Sequence, residues 1–116
     1  MATTVELTSR DHAEALLAGD TPVLVFKHST RCPISAGADR RVSEFQAANT
    51  DLPVTWARVL VVENRPLSMW LADTLSVRHQ SPQMILMVNG QAVWDTSHGS
   101  INAEEITGAL KQHGLA

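Results

Sequence analysis

Residues 23–35 read Val-Leu-Val-Phe-Lys-His-Ser-Thr-Arg-Cys-Pro-Ile-Ser, and this stretch decides the fold. Its first four residues form an apolar run, which is typical of a strand that is buried on both faces. After Cys32 apolar residues recur at helical spacing, at Ile34, Ala38, Val42 and Phe45. Pro33 suits the first helical position, because its fixed φ fits a helix and its missing N–H would have no partner there. The stretch therefore predicts a strand that leads into a helix, with the single cysteine of the chain at the junction.

The position of Cys32 favours a reactive thiol. A helix N-terminus offers free backbone N–H groups and the positive end of the helix dipole, and both favour the nucleophilic thiolate. A lone cysteine is more often a small buried residue, but here polar residues 27–31 precede it and Pro33 follows it. Ser35 stands where a dithiol redox motif has its second cysteine. Its hydroxyl can donate a hydrogen bond to the sulfur but cannot form a disulfide.

The composition limits the class of protein. The chain has 116 residues, 44% of them hydrophobic and 18% charged, which predicts one globular domain over residues 1–116. A net charge of -3 argues against a nucleic-acid-binding protein, which would carry a basic face. A single cysteine permits no internal disulfide and suits a reducing compartment. Since no signal peptide or membrane-spanning apolar stretch is evident, we expect a cytoplasmic monomer that binds neither nucleic acid nor membranes.

Hydrophobic periodicity predicts the element order β-α-β-α-β-α-β-β-α. The predicted strands cover residues 5–7, 23–26, 54–62, 84–88 and 91–95. The predicted helices begin at Thr8 or Ser9, after Cys32, at Glu63 or Asn64, and at Asn102. Strands joined by helices should be parallel, whereas Asn89-Gly90 predicts a hairpin between the last two strands. The predicted class is α/β, with a central mixed sheet covered by helices on both faces. Three tryptophans are predicted to pack in the core rather than to form a stacking surface, namely Trp56, Trp70 and Trp94.

This order, with a cysteine opening the second helix and an X-Pro before the hairpin, resembles the thioredoxin fold. Residues 26–35 also resemble the active-site segment of the monothiol bacilliredoxins of the YtxJ type. Three further stretches are similar to the same family, namely 63–68 (Glu-Asn-Arg-Pro-Leu-Ser), 79–83 (His-Gln-Ser-Pro-Gln) and 97–101 (Ser-His-Gly-Ser-Ile). The resemblance implies a thiol–disulfide oxidoreductase that removes bacillithiol from cytosolic proteins. It implies no bound cofactor, with bacillithiol as co-substrate and a low-molecular-weight thiol as second partner.

The resemblance also implies roles for individual residues. Cys32 and Ser35 are the implied catalytic pair. Pro82 maps onto the cis-proline of the thioredoxin fold, although the sequence alone favours a trans proline at a strand start. A cis Ser81–Pro82 bond beside Cys32 would leave the backbone of Ser81 free to pair with an extended client protein. Cations near Cys32 are expected to bind the malate group of bacillithiol, and the candidates are Lys27, His28 and Arg31. The other expected substrate-binding residues are Thr30, Pro33 and His98. His79 is a further residue that could line the site.

Ordinary thioredoxins differ from this chain at two informative positions. They carry a buried acid at the place of Phe26 and an aromatic residue at the place of Arg31. The base that serves a resolving thiol is therefore absent, which suits a chain with no resolving thiol.

Two other functions remain open on sequence alone. Monothiol glutaredoxins, which carry iron–sulfur clusters, are similar in having serine at the position of Ser35, but they have glycine where this chain has Pro33. A client-binding module without turnover would bind peptide near Pro82. A cysteine hydrolase lacks sequence support for an oxyanion hole, and one cysteine without paired-ligand spacing does not suggest zinc.

Overall fold

The computed structural model describes residues 4–116. Its five strands are β1 (Thr4–Glu6), β2 (Val23–His28), β3 (Thr55–Leu60), β4 (Gln83–Val88) and β5 (Gln91–Ser97). Its four α-helices are α1 (Arg10–Ala18), α2 (Pro33–Ala48), α3 (Arg65–Leu75) and α4 (Ala103–Gln112). A turn of 3₁₀ helix at His98–Ser100 occupies part of the predicted loop before α4. The predicted order of elements is confirmed.

The central strand of the sheet is β2, and the strand order is β1-β3-β2-β4-β5. β3 pairs in parallel with both β1 and β2. β4 pairs antiparallel with β2, where Lys27 lies opposite Gln83, and antiparallel with β5. The chain is therefore an α/β protein with a mixed sheet, as predicted. Because β2, β3 and β5 finish where β4 begins, the connecting segments meet at one place, which we call the Cys32 end of the sheet.

Local signals in the sequence explain how several elements begin and end. The Ser9 side chain accepts a hydrogen bond from the His12 amide at the start of α1, and Asn102 accepts one from Glu105 at the start of α4. Asn89 and Gly90 both have positive φ, of 53° and 77°, which identifies the hairpin turn as type I′. The sequence therefore fixes these boundaries through chemistry that acts within a few residues.

Helices cover both faces of the sheet, as predicted. On one face, Val23 and Val25 of β2 pack with Leu67 and Leu71 of α3 and Ala13 of α1. On the other face, buried side chains of the sheet pack against α2 and α4, among them Leu24, Phe26, Ala38, Val42, Phe45, Trp56, Ile106 and Leu110. Trp70 and Trp94 pack against the first and second core respectively. The predicted packing role of the three tryptophans is confirmed.

The first turn of α2 differs from the prediction. Ile34 was assigned to the apolar face, but its side chain is 57% exposed, whereas Ser35 is 0% exposed. Ser35 takes the inward position because the end of β2 lies against it and supplies polar partners, as described below. Ala38, Val42 and Phe45 are buried as expected. Within residues 4–116, no helix has both the length and the hydropathy that a membrane span requires.

Candidate functional site

Four stretches of the sequence meet at the Cys32 end of the sheet. Cys32 follows β2, residues 63 and 64 follow β3, and Ser81–Pro82 directly precedes β4. The segment after β5 joins them, because the His98 amide donates a hydrogen bond to the Pro82 carbonyl at 3.2 Å. The Ser81–Pro82 peptide bond is cis, as predicted. The strand register thus brings together segments that lie far apart in the sequence.

Cys32 is the N-cap residue of α2 and is partly exposed. Its amide donates to the Ser29 carbonyl at 3.4 Å, and its carbonyl accepts from the Ala36 amide at 3.0 Å. Its side chain makes no capping hydrogen bond. Cys32 therefore lies at the positive end of a helix of 16 residues and is partly exposed, which suits a nucleophile.

Ser35 does not take the expected place beside the sulfur. Its Oγ lies 2.8 Å from His28 Nδ1 and accepts a hydrogen bond from the Ser29 amide at 2.9 Å. Within the described part of the chain, no hydrogen bond joins Ser35 to Cys32. The expected hydrogen bond from Ser35 to the sulfur is thus wrong, because the hydroxyl instead contacts His28 at the end of β2 and the amide of Ser29, the first loop residue. What Ser35 does is tie this loop to the first turn of α2.

Lys27 and His28 are not surface cations, contrary to the prediction. His28 is 7% exposed, and its ring stacks on Phe26 with centroids 5.5 Å apart. Lys27 is 0% exposed. Both belong to β2, a central strand covered on both faces, so their side chains enter the core although their sequence neighbours are polar. Neither is placed to meet a ligand in solution.

Lys27 instead contacts His79, which is partly buried. Lys27 Nζ lies 3.2 Å from His79 Nδ1, and Ser68 Oγ of α3 lies 3.5 Å from the same nitrogen. Burial lowers the pKa of Lys27 from 10.5 to about 8. The pKa of His79 is also lowered, first by burial and then by the positive charges of Lys27 and Arg65. At neutral pH the pair therefore consists of a protonated lysine and a neutral histidine.

Gln83 supports the same segment from the adjacent strand. It is fully buried, and its Nε2 donates to the Arg78 carbonyl at 2.9 Å. Its Oε1 accepts from the Gln80 amide at 3.3 Å. Ser81 Oγ is buried and has no hydrogen-bond partner within residues 4–116. Buried polar side chains in the protein interior thus hold the segment before β4.

Pro82 is buried, whereas four other predicted site residues lie on the surface. Thr30 is exposed and donates to the Glu63 carboxylate, with oxygen–oxygen distances of 3.2 and 3.4 Å. Arg31 and Pro33 are exposed on either side of Cys32, and no salt bridge within residues 4–116 includes Arg31. The His98 side chain is exposed, while its carbonyl accepts from Arg41 Nη2 at 3.2 Å. Among the three predicted cations, Arg31 alone is available to a ligand.

Sequence reasoning gave no role to three residues that shape the site. Glu63 anchors the loop before Cys32 through Thr30, and Ser68 and Gln83 belong to the buried polar group below the segment before β4. All three lie in the stretches 63–68 and 79–83. A polar residue on an otherwise apolar helix face was the available signal for Ser68. Within residues 4–116, no group of three or more His, Cys, Asp and Glu side chains is arranged to hold a metal ion.

Comparisons with known proteins identify the family. A family model described as monothiol bacilliredoxin BrxC matches residues 5–106. A solved structure described as having a thioredoxin fold is 34% identical, with a TM-score of 0.83, and the match covers 91% of this chain and 92% of the other. The thioredoxin of Malassezia sympodialis is 17% identical with a TM-score of 0.75, covering 97% and 92% of the two chains. Thioredoxin f2 of Chlamydomonas reinhardtii is 20% identical with a TM-score of 0.74, covering 98% and 99%. The last two show the fold alone, whereas the family match shows that this chain belongs to the monothiol bacilliredoxins, which are thiol oxidoreductases with a thioredoxin fold.

Proposed function

We propose that this protein removes bacillithiol from mixed disulfides on client proteins by monothiol exchange through Cys32. The observation that carries the proposal is a partly exposed thiol at the N-terminus of α2 in a chain with no second cysteine. Its proposed setting is the cytoplasm, where a thiol stays reduced. It needs no resident cofactor, since bacillithiol enters as co-substrate.

The exchange has two steps. The Cys32 thiolate attacks the bacillithiol sulfur of the mixed disulfide, a bond forms between these two sulfurs, and the client leaves as a thiolate. A second thiolate, from a low-molecular-weight thiol or a partner protein, then attacks the bacillithiol sulfur and releases Cys32. Because Ser35 is held by His28 and Ser29, we assign it a positioning role at the Cys32 loop rather than a catalytic one.

Arg31 is the proposed contact for bacillithiol. Bacillithiol carries a malate group, and a guanidinium can hold a carboxylate through two parallel hydrogen bonds. Arg31 is exposed and precedes the reacting cysteine, and no salt bridge within the described residues occupies it. Thr30, Pro33 and the exposed His98 side chain complete the proposed binding surface.

Client proteins are proposed to bind at the segment before β4. The backbone of Ser81 can pair with an extended client segment in the manner of strand addition. Ile34 in the first turn of α2 is 57% exposed, and Val62 in the connection after β3 is 40% exposed, so both lie at the Cys32 end of the sheet. Such exposed side chains can add apolar contact to the backbone pairing.

The decisive experiment supplies a bacillithiolated client protein without any other thiol. We expect release of about one client per enzyme, with bacillithiol retained on Cys32 by intact-mass analysis, because exchange without a second thiol stops there. Adding excess low-molecular-weight thiol should start turnover, and Cys32→Ser should abolish release. A glutathionylated client is the matched control for the choice of thiol. Sustained release without added thiol would contradict the mechanism, and visible absorbance of anaerobically purified protein would point to an iron–sulfur carrier instead.

A further inference from the structure

We propose that Lys27 and His79 are positioning residues that hold residues 78–82 in the shape that presents the Ser81 backbone to a client protein. The Lys27 ammonium does this from inside the core, through its hydrogen bond to His79 Nδ1 at 3.2 Å. The inference rests on the proposed function in one respect, namely that Ser81 receives the client. The hold on the segment itself can be tested without any client.

The direction of the hydrogen bond follows from the chemistry of the two groups. A lysine ammonium has three donors and no acceptor, so His79 Nδ1 must accept and the ring proton must lie on Nε2. The lowered pKa of His79 keeps the ring neutral at neutral pH, while a pKa of about 8 keeps Lys27 largely protonated. A hydrogen bond from a charged donor is stronger than one between neutral groups. The contact therefore ties β2 to a residue 52 positions away in the sequence.

Lys27 acts together with Gln83. The two residues lie directly opposite each other on neighbouring antiparallel strands, so their side chains leave the sheet on the same face. Gln83 bonds the backbone at Arg78 and Gln80, and Lys27 bonds the side chain of His79 between them. Residues 78, 79 and 80 are thus each held by a hydrogen bond to a buried side chain of the sheet. Ser81–Pro82 comes directly after them in the sequence.

Protein stability does not explain why a lysine occupies position 27. The lysine is fully buried, and no salt bridge within residues 4–116 includes it. A buried charge without an opposite charge costs folding free energy, and an apolar residue of similar size is often the more stable choice. What the lysine provides is a directed hydrogen bond at the base of the client-binding segment, which no apolar residue can supply.

Three variants separate this role from a merely structural one. Lys27→Met removes the charge and keeps an unbranched side chain of similar length. His79→Leu removes the acceptor, whereas His79→Asn, the matched control, keeps a carbonyl oxygen near the position of Nδ1. Amide hydrogen exchange is measured on the whole chain without client or bacillithiol. Steady-state KM and kcat are then measured with a bacillithiolated client peptide and excess low-molecular-weight thiol.

We expect exchange of the Gln80 amide, which donates to Gln83 Oε1 at 3.3 Å, to accelerate about tenfold in Lys27→Met and His79→Leu, the factor expected for loss of one charge-assisted hydrogen bond. Exchange in the core strands should not accelerate in Lys27→Met, because that variant removes a destabilising charge. KM should rise about tenfold and kcat should stay within about twofold, since the chemistry at Cys32 is untouched. His79→Asn should restore both readouts towards the wild type.

Each failure has a distinct meaning. Unchanged exchange of the Gln80 amide in both Lys27→Met and His79→Leu would overturn the proposal, as would faster exchange with an unchanged KM. If Lys27→Met does not fold, the comparison of His79→Leu with His79→Asn decides the matter. If wild-type protein releases no bacillithiolated client, the proposed function fails, while the exchange measurement still tests whether Lys27 holds the segment.

Discussion

Replacing Lys27 by methionine should change how the stability of this protein depends on pH. Burial lowers the pKa of Lys27 from 10.5 in the unfolded chain to about 8 in the folded protein. The folded protein therefore releases this proton more readily than the unfolded chain does. Between these two values the unfolded state binds more protons, so the free energy of unfolding must rise with pH.

The magnitude follows from the size of the pKa shift. At pH 7 both states hold the proton, and the shift costs the folded protein about 3 kcal/mol. At pH 10 most of this cost is gone, because the folded protein has lost its proton and the unfolded chain is close to losing it. Wild-type protein should thus gain about 2.5 kcal/mol relative to Lys27→Met between pH 7 and pH 10.

Urea unfolding followed by tryptophan fluorescence measures this difference, since Trp56 is buried. Wild type and Lys27→Met are unfolded at pH 7 and at pH 10, and all other titrating groups are common to both. Lys111→Met is the matched control, because Lys111 is an exposed lysine of α4. It should follow the wild-type pH dependence. Unfolding free energies of wild type and Lys27→Met that differ by the same amount at both pH values would refute the reasoning.

Three further outcomes test separate parts of the structure. Ser35→Ala leaves the part-buried Ser29 amide without its partner and should lower the free energy of unfolding by about 1–3 kcal/mol; an unchanged urea midpoint would contradict this. Gly90→Ala should cost more than about 1 kcal/mol, because φ is +77° and the new Cβ would lie 2.9 Å from the Leu17 carbonyl oxygen; thermal unfolding measures the loss. Arg31→Gln should raise KM for a bacillithiolated client by about tenfold, with little effect on a glutathionylated one; equal effects on both would remove Arg31 from malate recognition.

Signals within a few residues were enough to predict much of this protein from its sequence. The apolar run before Cys32 and Pro33 after it predicted the passage from β2 to α2. Asn89-Gly90 predicted the hairpin. These features depend on backbone preferences and on side chains that act on their own neighbours, so they can be recognised without knowledge of distant contacts. The cis Ser81–Pro82 bond, in contrast, was predicted only from the family resemblance.

The environment of each polar side chain at the Cys32 end of the sheet was decided only by the tertiary structure. Lys27, His28 and Arg31 look alike as cations in the sequence, yet two are buried and one is exposed. The burial of both Lys27 and His28 depends on β2 becoming the central strand, and the surroundings of Lys27 depend also on His79 and Ser68, which belong to distant segments of the chain. Periodicity shows which face of a strand is apolar, but it does not show what covers a polar residue at the strand's end. For that reason the sequence determined the fold and the place of Cys32 at the start of α2, whereas long-range packing decided which polar residues are exposed and which are buried beneath the site.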